Sequence, residues 1–172
     1  MPSHATTDQL PEGVSKPEKH LEKLLRLPEF VHLAEGEARV AFLMRGYEEF
    51  RGGRTLIGSV HLPGVQGQLK DVFIWMLMDK LGYMPDALCI LDAQWWVDVG
   101  SEREREIQIH HLLSRIIHKV DKYGATRFDA EGRPVFGLVD PDVMEFVATV
   151  RRYGPHNDTI RAFIDACDAS ND

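Results

Sequence analysis

The apolar positions fall into runs of contrasting period. From Ser101 onward, Ile109, Leu113, Ile116, Ile117 and Val120 lie on one stripe at about 100° per residue, with Leu112 and Glu106 near its edges. That spacing predicts a long amphipathic helix. His111, Arg115, His118 and Glu104 share its opposite face, and His110 sits beside the apolar stripe. Asp98 and Ser101 stand where an N-cap is wanted, and Glu102 and Glu104 suit the positive end of the helix dipole. Gln68 to Leu81 is apolar nearly all round, which predicts a helix covered on more than one side and stopped by Gly82.

Shorter runs read as strands. Ala38–Arg45 is one, and Arg54–Leu62 alternates as a second, expected to lie antiparallel to the first across the Gly46–Gly53 turn. Ala87–Leu91 reads as a buried strand. Thr126–Phe128 and Pro134–Phe136 flank a turn at Asp129–Gly132 and predict a small hairpin. Asp140-Pro141 is expected to open a helix with Val143, Phe146, Val147 and Val150 as its stripe, and Asn157 or Asp158 to cap a last one over Thr159–Ala166. Four segments follow: a disordered polar tail over 1–16, a helical arm over 17–36, a domain over 37–156, and a C-terminal helix and tail over 157–172.

Charge narrows the partners. A chain of 172 residues with formal charge −7 lacks the basic surface that phosphate-backbone contacts require, so nucleic acid is not expected as a partner. No apolar run approaches the roughly 20 residues of a membrane span, and no secretory leader is evident. Cys89, in an apolar run, reads as a buried reduced thiol, which together with the absence of a leader points to the cytoplasm.

The three histidines of the long helix invite a metal reading. A zinc helix of the H-E-x-x-H kind sets two histidines one turn apart around a glutamate general base. His111 and His118 are seven residues apart, about 10 Å along a helix axis. Arg115 stands one turn after His111 and, as a permanent cation, cannot ligate zinc. No H-E-x-x-H occurs in the chain.

Taken together, Gly82-Tyr83, Leu91-Asp92-Ala93-Gln94-Trp95-Trp96, the lead-in Ser101, Arg105 and Glu106, and Asp142-Val143 with Glu145-Phe146 running into Arg151-Arg152-Tyr153-Gly154 resemble the putative phage metallopeptidase family. The resemblance spans about 38–155. It implies an α+β, zincin-like fold: a small mixed sheet packed against helices, with an apolar helix and a zinc helix. It also implies that His111 stands at the first ligand, Leu112 at the catalytic glutamate, Arg115 at the second ligand and Pro141 at a third. On that reading the zinc helix is degenerate, the chain is a pseudoenzyme with no cofactor, and its function is to bind a protein partner. Two alternatives stay open: a hydrolase with a rebuilt zinc site using His110 or His111 with His118, His156 or Glu145, and an assembly component. Arg115 either stands in for the missing cation between carboxylates such as Asp142 and Glu145, or points to water.

Overall fold

The computed structural model describes residues 4–65, 67–143 and 147–170. Among these the elements run β1 (His4–Thr6), α1 (Pro17–Leu24), α2 (Val31–Glu35), β2 (Val40–Arg45), β3 (Phe50–Arg51), β4 (Arg54–Thr55), β5 (Gly58–His61), α3 (Lys70–Leu81), β6 (Ala87–Asp92), α4 (Glu102–Ser114), β7 (Ile116–His118), β8 (Phe136–Leu138), α5 (Val147–Tyr153) and α6 (Asp158–Ala169). The fold is α+β with a small mixed sheet, as expected. No helix among the described residues is long and apolar enough to cross a membrane.

Two compact units divide the chain, Met1–Val139 and Asp140–Asp172, so the break falls before the 156/157 boundary read from the sequence. The 17–36 arm belongs to the first unit. Its Leu24, Phe30 and Leu33 are buried in one core with Phe42, Cys89, Trp96 and Ile109. The second unit holds α5 and α6, the latter capped by Asn157, whose side-chain oxygen accepts from the Ile160 amide at 2.9 Å.

The four-stranded sheet has the order β1-β2-β6-β5. β6 (ALCILD) is apolar on both faces and takes a central position, as a strand covered on both sides should. β2 lies parallel to it with Val40 beside Ala87, and β5 antiparallel with Val60 beside Cys89. β5 therefore runs antiparallel to β2, as expected, but the two do not pair. β6 intervenes, and the crossover through α3 makes the parallel pairing possible. Burial pushes the Cys89 thiol up to about 12, which makes it a packing residue rather than a nucleophile.

Three further expectations are corrected. The polar segment read as a tail supplies β1, whose His4–Thr6 backbone pairs antiparallel with Leu43–Arg45. Ser15 is also tied down, its carbonyl accepting from the Trp96 indole at 2.9 Å. The long helix ends at Ser114, and Ile116–His118 forms β7 against β8. There Ser114 Oγ donates back to the His110 carbonyl at 2.9 Å, a contact that competes with helix continuation. Finally, α3 buries only Leu77, while Val72, Trp75, Met76 and Met78 are exposed; cover exists on one side alone. Gly82 ends that helix as expected, at φ +78°, a left-handed conformation that favours glycine.

Candidate functional site

α4 carries the residues of interest. It begins with a capping box: the Ser101 hydroxyl accepts from the Glu104 amide, and the Glu104 carboxylate accepts from the Ser101 amide at 2.9 Å. Inward-facing Arg105, Ile109, Leu112 and Leu113 fix the roll of the helix about its axis. His111 is thereby turned to solvent.

Leu112 is 1% exposed. Its Cδ1 lies 3.3 Å from the position that a Cβ on Gly58 of β5 would take, and Leu91 approaches the same position to 3.0 Å. The Gln108 side-chain nitrogen is nearer still, at 2.8 Å, so the residue next to His111 is closed against β5 by a contact that only a glycine there permits. Arg115 is the C-cap of α4, where the helix has already ended. Its Nε donates to the Val139 carbonyl at 3.2 Å, and its own carbonyl accepts from the Val139 amide at 2.9 Å. These paired bonds fasten the helix end to the chain leaving β8.

The other candidate histidines serve packing. The His110 ring meets Phe30 edge-on at 4.8 Å, with Nε2 3.4 Å from Glu29. His118, in β7, lies beside Phe136 at 5.1 Å and His32 at 5.7 Å between centroids. His156 belongs to the second unit, where Nδ1 is 3.2 Å from the Gly154 carbonyl. Pro141 and Asp142 are exposed and not helical, so the helix expected to open at Asp140-Pro141 does not begin there. Glu145, and with it Phe146 of the expected stripe, lies outside the described residues.

Zinc in a protein site wants three or four imidazole, thiolate or carboxylate donors about 2 Å from the ion. Among the described residues no three His, Cys, Asp or Glu side chains are grouped to hold a metal ion. A guanidinium one turn after His111 adds a positive charge where a ligand would be required. The described residues do not assemble a donor set that fits the metal.

A second cluster, absent from the sequence reading, lies at the other end of α4. His20 of α1 is buried there, its ring edge-on to Trp96 at 5.9 Å. Ser15 gives its one hydroxyl proton to Glu102 at 2.6 Å, so at 3.2 Å it accepts from His20 Nε2–H. Nε2 then carries a proton. Burial holds the His20 pKa below the usual range, outweighing the pull of Glu102 and Glu106 in the other direction. Glu102 is held low chiefly by the Ser15 hydroxyl, with His20 and Arg105 adding to it.

These shifts set a pH dependence. The unfolded chain takes up a proton near the ordinary histidine pKa of about 6.5, which buried His20 resists, so stability is full above that pH and declines below it. Depressed Glu102 works in the same direction at lower pH. The urea midpoint is expected to fall between pH 7 and pH 5, with a shallower slope in His20→Gln; equal slopes would contradict the assignment.

The match to known families agrees with this architecture. Residues 12–168 match the family described as putative phage metallopeptidase. No curated protein and no solved structure matches the chain. A match over nearly the whole length, on an α+β unit with α4 under a mixed sheet, settles the family: the chain belongs to the putative phage metallopeptidases.

Proposed function

We propose that this chain keeps the peptidase scaffold without its chemistry and acts as a protein-binding module. One observation carries the reading. The position that the family resemblance assigns to the general base is Leu112, an aliphatic side chain 1% exposed within the core. It can neither accept a proton from water nor meet a substrate, and general-base assistance alone commonly contributes about 10²–10⁴ in rate. Arg115 at the second-ligand position supplies a cation in place of a donor.

The scaffold offers a partner a suitable surface. β5 pairs on one side only, with β6, and is the outermost strand next to α4. An edge strand can add an extended segment through backbone hydrogen bonds. The net charge of −7 favours a partner with a basic face.

Untagged protein purified without chelator is expected to carry well under one equivalent of zinc, to cleave no peptide, and to lose nothing on His111→Ala. Capture from host lysate, followed by reconstitution with the purified partner, is expected to give a saturable complex that weakens with salt. Stoichiometric metal lost on His111→Ala, or chelator-sensitive cleavage, would establish instead a metal-dependent hydrolase.

A further inference from the structure

Away from α4, the β3–β4 hairpin places two arginines where they repel. Gly52 and Gly53, at φ +58° and +75°, form a two-residue turn of the kind that suits a twisted hairpin. That turn sets Arg51 directly across from Arg54. Like charges in that register are destabilising, and a neutralising partner would normally be expected. Neither arginine has a hydrogen-bond or ion-pair partner among the described residues, although the chain as a whole is acidic.

Arg51 also lines a cavity of about 220 Å³, together with His4, Tyr47, Ser59 and His61. All four bring side-chain groups able to donate a hydrogen bond, and Ser59 and His61 are already joined at 2.9 Å. Glu49 is on the same wall, but its carboxylate is engaged by Arg45 at 2.9 Å, and Arg45 faces Asp92 on its other side at 3.7 Å. One guanidinium thus faces both carboxylates. Arg51 lines the cavity and Arg54 stands across the hairpin from it, neither neutralised by a described side chain.

We infer that this hairpin and cavity form a binding site for a phosphate monoester. Guanidinium forks grip a phosphate through paired, charge-assisted hydrogen bonds, and two forks side by side suit the dianion. The occupant would offset the Arg51–Arg54 repulsion while the neighbouring side-chain donors fill its remaining oxygens. A nucleic-acid backbone fits less well, since affinity for a polyanion grows with many phosphate contacts and this patch supplies two cations. The same phosphate could belong to a free metabolite or a phosphorylated side chain.

The test is a titration of isotope-labelled full chain with inorganic phosphate, phosphoserine and a phosphoserine peptide at fixed ionic strength, followed by amide shifts. Saturable shifts confined to Arg51–Arg54 and Ser59–His61 are expected. Arg51→Glu/Arg54→Glu should weaken them at least about tenfold without moving the melting temperature, and Arg51→Lys should retain part of the affinity. Tighter binding of the peptide would assign the phosphate to a protein, and equal binding to a small molecule. Shifts that fail to saturate, that chloride reproduces, that survive the double reversal, or that appear only with an oligothymidylate would overturn the proposal.

Discussion

Leu112→Glu, which puts a carboxyl where the family resemblance places the general base, is expected to destabilise the first unit by about 3–5 kcal/mol and to bring no hydrolysis. The reason is where the side chain sits. Leu112 is 1% exposed, in one cluster with Leu91, Ile109, Leu113 and Ile116. A carboxyl there forfeits the leucine's dispersion contacts and leaves water for a site packed by Leu91, Ile109 and Leu113, with the Gln108 side-chain amide the polar group beside Gly58. Against a typical total of about 5–15 kcal/mol, this is a large share. Leu112→Met, which keeps volume and polarity, should cost under about 1.5 kcal/mol. The check is the urea midpoint of each variant at unchanged m-value, beside a peptide-cleavage assay with added zinc. Native stability with zinc-dependent cleavage in Leu112→Glu would mean that position 112 faces a working cleft.

That placement also shows which features were readable from sequence. Some helix ends carry local signals that held, Pro17 opening α1, Gly82 closing α3 and Ser101 capping α4, whereas the Asp140-Pro141 signal is not followed by helix at 141–143. The core strand β6 declared itself by an unbroken apolar run. What failed depended on distant partners. Ile116-Ile117 fits a helical stripe as well as a strand, and only β8, about twenty residues later, decides for the strand. β1 is bound through backbone hydrogen bonds, which leave no mark in the residues His-Ala-Thr. The order of the sheet likewise follows from which strand is apolar on both faces, a comparison among strands rather than a property of any one.

The candidate site was legible in part for the same reason. Arg115 and Leu112 departed from a motif and could be seen in one dimension. His20 could not, because its neighbours Ser15, Trp96 and Glu102 come from three separate segments. The Arg51–Arg54 opposition was available in principle. Two glycines between two arginines is a hairpin turn by composition, and a two-residue turn fixes the flanking pair.

Arg45→Ala is the second large effect, with an expected loss of about 3–5 kcal/mol. Arg45 ends β2 at 1% exposure, and its guanidinium organises everything between β2 and β5. Nε donates to the Tyr47 carbonyl at 3.0 Å, Nη1 to Glu49 at 2.9 Å, and Nη2 to the Leu56 carbonyl. The fourth partner is Asp92, buried beside it on β6, whose Oδ1 accepts from the Trp95 amide at 2.9 Å. Asp92 Oδ2 has no hydrogen-bond donor of its own, so the nearby guanidinium is what offsets its charge. Truncation to alanine therefore strips two carbonyls of their donor and leaves a carboxylate uncompensated in the core. Because the second loss is electrostatic, it should be recoverable: Asp92→Asn is expected to be less harmful in the Arg45→Ala background than in the wild type. A double-mutant cycle read by urea unfolding measures that coupling, and hydrogen exchange should show Phe50–Thr55 opening with it. Additive losses would mean that Arg45 acts on the loop carbonyls alone and that the Asp92 contact contributes nothing.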